Sequence, residues 1–242
     1  MRLNPVARAD LRVRLTSPKA LGMVTVYLGI LAALAFISLP PDLGRLDDLR
    51  QEGLLLAFLI VETVLAAYLT SAPACGEIAV EGEKSVWDLA ASPFPPGVIA
   101  RGKVMTSAAF AALLVIMATP FMVVVAGIRG EPLAGVIRAA AVAIPVATTL
   151  GSLGSLYAAV YDSDFARSFV HWITLLAVIV GATALPPPWD GISPVRMVVV
   201  AVRDGFRPEV LAADALYVIV GFLTILAMSR RIARIRAEAR AA

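Results

Sequence analysis

Residues 53–73 read Gly-Leu-Leu-Leu-Ala-Phe-Leu-Ile-Val-Glu-Thr-Val-Leu-Ala-Ala-Tyr-Leu-Thr-Ser-Ala-Pro, an apolar stretch broken by one charge, Glu62. A helix needs about 20 such residues to cross the hydrocarbon core of a bilayer. Five further stretches come near that length: Ala20–Leu39, Val104–Gly127, Ala139–Tyr161, Phe169–Leu185 and Leu211–Met228. Across all six, the only ionisable side chains of acid, base or histidine type are Glu62, Asp214 and His171. Hydrophobic residues make up 60% of the chain and charged residues only 16%. A soluble helical protein has no use for helices this long without charge, because its surface helices keep one polar face. The sequence therefore predicts an all-α integral membrane protein with six transmembrane helices, forming one transmembrane domain over residues 1–242.

The cationic residues orient it. Arg2, Arg8, Arg12, Arg14 and Lys19 precede the first span, and Arg230, Arg231, Arg234, Arg236 and Arg240 follow the last. Lys and Arg accumulate in cytoplasmic segments, so both termini are expected in the cytoplasm and the number of crossings is even. Lys84, Arg101, Lys103 and Arg167 also fall on inside segments, whereas Arg45, Arg50, Arg129, Arg138, Arg196, Arg203 and Arg207 fall outside. The formal net charge of +3 is accounted for by this asymmetry, with no nucleic-acid partner implied. The N-terminus lacks the short apolar core and small-residue cleavage site of a signal peptide. The single cysteine, Cys75, forms no internal disulfide.

Between the spans, three segments stand out. Asn4-Pro5 suits a helix start, with Asn as cap and Pro in the first helical position. The following Arg8, Leu11, Arg12 and Leu15 suggest an amphipathic N-terminal helix within residues 1–19, lying in the membrane surface and stopped by Ser17-Pro18. Residues 74–103 form the longest inside loop. There Ser85 can cap a short helix carrying Val86, Trp87, Leu89 and Ala90, broken by Pro93, Pro95 and Pro96. Residues 186–210 open with Pro186-Pro187-Pro188-Trp189 and contain the apolar run Val198–Val202, too short to span, which suggests an outer re-entrant or interfacial element.

Within the spans, Pro120 and Pro145 remove backbone hydrogen bonds and are expected to bend the third and fourth helices. Thr148/Ser152 and Gly151/Ser155, each four apart, allow close helix approach, within the chain or with a second copy. Glu62 is costly at mid-membrane, by about 3 kcal/mol on insertion scales. It either lines a substrate path or bonds a hydroxyl on a neighbouring helix such as Thr174 or Tyr157. His171 and Trp172 read as interfacial anchors, and Asp214 as a residue reaching the headgroups.

The chemistry is sparse. Gly82-Glu83-Lys84-Ser85 lacks the spacing of a phosphate-binding loop, no Gly-x-Ser-x-Gly elbow is present, and one His with one Cys gives no metal-ligand cluster. No cofactor is expected in this chain.

Three pieces resemble the permease subunits of bacterial type-2 ABC transporters. The first is Asn4-Pro5-Val6 through Arg14, followed by Ser17-Pro18-Lys19-Ala20 and Val26-Tyr27-Leu28. The second is Ala72–Ile78 with Glu81-Gly82-Glu83-Lys84-Ser85-Val86-Trp87-Asp88-Leu89. The third is Ser92-Pro93-Phe94, Ile99 and Gly102-Lys103. The likeness runs over roughly Asn4–Pro120. Ser85-Val86 stands where the family usually has Gly-Thr, and Ala90-Ala91 where a Leu-rich stretch is common. The resemblance implies a coupling helix from Glu81 to Ser92 docking a separate ABC ATPase, with Glu81, Glu83, Ser85, Val86, Trp87, Leu89 and Ser92 as coupling residues. It implies a bracing N-terminal helix, a second permease copy, identical or related, and a path along the interface of the two. ATP would be hydrolysed on the partner, transport would run outward across the plasma (inner) membrane, and Glu62 would be a candidate residue of the path. Competing functions are an intramembrane enzyme and a non-transporting scaffold subunit.

Overall fold

The computed structural model describes residues 4–37, 54–76, 88–89, 91–129 and 132–241. Its helices are α1 (Pro5–Thr16), α2 (Pro18–Ile37), α3 (Leu54–Cys75), α4 (Pro96–Arg129), α5 (Leu133–Val160), α6 (Asp164–Ile179), α7 (Pro194–Asp204) and α8 (Pro208–Ala241), with 3₁₀ turns at Gly181–Ala184 and Trp189–Ile192. No strand occurs among the described residues. Six helical segments are long and apolar enough to cross a membrane: Pro18–Ile37, Leu54–Cys75, Pro96–Gly127, Leu133–Val160, Asp164–Ala184 and Pro208–Ala239. The chain thus has the architecture of a multi-pass membrane protein.

Helix α5 is the hub, packed against α3, α4, α6, α7 and α8. Half of the apolar window of α3 and of α5 is buried, against 17% for α2 and for the α6 segment. The first pair therefore forms the centre, and the second pair lies on the periphery. The small residues of α5 make the central contact possible. A Cβ on Gly154 would stand 2.7 Å from the Ser71 carbonyl oxygen, and one on Gly151 would stand 2.7 Å from Thr70 Cγ2. The small-residue stripe expected from the sequence is thus used within the chain. On its other side α5 is tied to α8: Thr149 donates to the Tyr217 carbonyl (2.7 Å), and Thr224 donates to Ser152 (3.0 Å). In a bilayer such bonds and close packing hold helices together, because lipid is as apolar as leucine. Pro120 and Pro145 both sit inside continuous helices.

Two helices run longer than the hydropathy windows suggested. Helices α4 and α8 have 34 residues each, about 50 Å at 1.5 Å per residue, against a hydrocarbon core of about 30 Å. Their overhangs meet at the end of the bundle that carries both termini. There Val6, Leu89, Ile99, Ala100, Ala159, Met228, Ile232 and Ile235 form a second apolar cluster, separate from the main core.

At the opposite end the segment between α6 and α8 folds back as α7. It buries Pro194, Met197, Val198 and Ala201, spaced as one helical face, against α5 and α3. Gly205, at φ +85°, makes the turn into α8.

Candidate functional site

The site assembles around the segment joining α3 to α4. Of the residues expected to couple to a partner, Glu81, Glu83, Ser85, Val86 and Trp87 lie outside the described residues. Leu89 and Ser92 are described. Asp88 and Leu89 are helical, a turn follows over 91–94, and α4 begins at Pro96; the rest of the short helix expected from Ser85 lies outside the described residues. Leu89 is only 5% exposed and belongs to the second apolar cluster. It is an inward anchor of the segment, so a charge placed there disrupts packing first. Ser92 is half-buried, and its hydroxyl donates to the Leu89 carbonyl (2.6 Å).

Two other parts of the chain, α8 and the N-terminal segment with α1, hold this turn and the start of α4. Arg236 of α8 donates through Nη2 to the carbonyls of Ser92 (2.8 Å) and Phe94 (2.6 Å). Asn4 accepts from the Val6 amide (2.9 Å), capping α1 as expected, and donates through Nδ2 to the Val98 carbonyl (2.8 Å). Beneath it, Gly102 lets α1 approach: a Cβ there would meet Val6 Cβ at 2.6 Å. Lower still, Lys103 of α4 pairs with Asp10 of α1 at 2.8 Å, both side chains almost wholly buried. The guanidinium of the buried Arg14 lies 5.5 Å from the centre of the Phe110 ring. Helix α1 therefore presents Val6, Ala7, Asp10 and Arg14 inward, a face that differs from the Leu11/Leu15 stripe expected. Leu15 is exposed. The buried ions win because their partners Lys103 and Phe110 sit on α4. α1 does end at Thr16, with Ser17 extended.

Glu62 is fully buried. Its hydroxyl partners are Tyr27 of α2 (3.5 Å) and the adjacent Thr63 (3.4 Å). Tyr157 and Thr174, offered from the sequence as its partners, instead bond each other at 2.9 Å. His171 corrects a second expectation. It is 2% exposed, faces α3 and bonds Ser71 at 2.8 Å through Nε2, so it is no interfacial anchor. Trp172, one position on, is exposed. Asp214 lies in the second turn of α8 and is half-buried. At the far end a cavity of about 200 Å³ lies between the 3₁₀ turn and the starts of α7 and α8, lined among others by Pro188, Asp190, Arg196, Met197 and Glu209. Asp190 and Arg196 form an ion pair on its wall. Among the described residues no three His, Cys, Asp or Glu side chains group as metal ligands.

The Arg236 clasp and the Asp10–Lys103 pair escaped sequence reasoning. The first had a readable signal: Met228, Ile232 and Ile235 continue a helical apolar stripe past the last span. The second had none, since partners 93 positions apart leave no periodic trace.

The class these features define is an all-helical, multi-pass membrane protein. No protein-family profile, curated protein or solved structure matches the chain.

Proposed function

We propose that this chain is the membrane-spanning permease subunit of an ATP-driven exporter of the type-2 ABC kind, paired with a second permease copy and driven by a separate ATPase. The observation that carries this reading is the bracing of the 74–103 segment. Its downstream end is fastened to α1 by Asn4, to α8 by Arg236, and to both through the apolar cluster around Leu89. A push on such a loop passes to α4 and α8 together, rather than being absorbed by a free loop. The cationic ends favour a cytoplasmic side for this end, within reach of a soluble motor. Residues Glu81 to Trp87 would supply the docking face and Leu89 its anchor. α7 would close the outer end of the path, and Glu62 would contribute to it when the helices rearrange. The resemblance of the first half of the chain to known permeases points the same way.

The test is co-purification. The chain is expected to bring down a P-loop ATPase, and Trp87→Asp is expected to uncouple hydrolysis from export while the chain stays folded. Normal coupled transport by that variant, or a chain that never recovers an ATPase, overturns the reading.

One observation favours an intramembrane enzyme, the Ser71–His171 pair. Its hydrogen bonding argues against catalysis. The Ala67 carbonyl, 2.8 Å from the Ser71 hydroxyl, competes with His171 for its proton, and a base that activates a serine needs that proton directed to itself. Activity of the chain alone, lost in Ser71→Ala, would revive that function.

A further inference from the structure

Helix α6, on the periphery, is seated by few buried side chains. Only His171 and Leu175 are buried along it, while Phe165, Phe169, Trp172, Ile173 and Leu176 are exposed. Its inward stripe carries three polar contacts, spaced four and three residues apart so that they share one face. Near its start the Arg167 carbonyl accepts from Cys75 Sγ (3.5 Å). One turn on, His171 Nε2 meets Ser71 Oγ (2.8 Å). Next, Thr174 Oγ1 meets the Tyr157 hydroxyl (2.9 Å). The Val170 carbonyl lies 2.8 Å from the same Thr174 hydroxyl. The Tyr68 ring lies against His171 and Trp172. In lipid, the apolar contacts of α6 favour its seat only weakly over acyl chains, whereas the polar bonds have no partner there.

We propose that these contacts form a polar latch, and that α6 is a helix able to leave its seat on α3 and α5. Release would uncover Ser71, Tyr68 and Tyr157, turning a closed seam into a cleft with a polar floor beside apolar walls. Such a cleft suits an amphipathic molecule entering from the bilayer. The latch is read from α6 and its neighbours alone and stands whether or not a motor docks at the other loop.

The chain carries its own reporter, because Cys75 is its only cysteine. It is buried and sits against α6. N-ethylmaleimide modification of the full-length chain in lipid nanodiscs therefore reads the opened fraction. Loss of one interhelical bond is expected to raise the rate roughly threefold, and up to about twentyfold for a strong one. His171→Leu and Thr174→Val should each fall in that range. His171→Gln, which keeps a hydrogen-bonding group toward Ser71, should stay close to the parent. Thr224→Val, which cuts a bond between α5 and α8, should leave the rate unchanged. The latch is refuted if His171→Leu and Thr174→Val label at the parental rate, if His171→Gln labels as fast as His171→Leu, or if Thr224→Val accelerates labelling equally. Should His171→Leu fail to fold, Thr174→Val against Thr224→Val decides alone.

Discussion

Asp10 and Lys103 show what a single pair does here. A buried pair gains little over an apolar one, but removing one partner leaves the other charge less compensated. With both side chains buried at the α1–α4 contact, Lys103→Ala is expected to cost about 3 kcal/mol, read as a fall in melting temperature in detergent. The exchange Asp10→Lys with Lys103→Asp should recover part of it. Equal loss in the single and exchanged variants would show that the ions do not fix how α1 lies on α4. Neither residue stood out in the sequence, because ionic partners on different helices follow no spacing rule. Glu62 did stand out, since a lone carboxylate in an apolar run is conspicuous. Its partner Tyr27 was not readable, because which face of α2 meets α3 depends on packing.

At the scale of elements, hydropathy located all six spans, and capping rules located the start and end of α1. It failed at boundaries where a helix leaves the apolar slab. α4 begins at Pro96, eight residues before the apolar window, because Ile99 and Ala100 are buried against the overhang of α8 and the end of α5. The contact of α3 with α5 makes a second test. Gly154→Ala forces a Cβ to 2.7 Å from a backbone oxygen that cannot swing aside, and should cost about 1–3 kcal/mol. Gly22→Ala in α2, with nothing within 4 Å, should be neutral or slightly stabilising. Thermal unfolding of the two variants separates them, and equal melting temperatures would contradict the close contact.

Over the whole molecule, the start of α1, the overhangs of α4 and α8, and Leu89 gather at one end. An even number of crossings implies that α1 and the end of α8 share a side. The apolar stripe that continues past the last span was legible, but not what it meets, since the clasp joins residues more than 140 positions apart. The proposed role rests on that end meeting a motor in the cytoplasm. Site-specific photo-crosslinking from position 87 in native membranes measures this directly. A soluble, ATP-hydrolysing polypeptide trapped at that position is the expected result. A position 87 that reacts only from the opposite face of the membrane, or that traps nothing but lipid and its own chain, would contradict it.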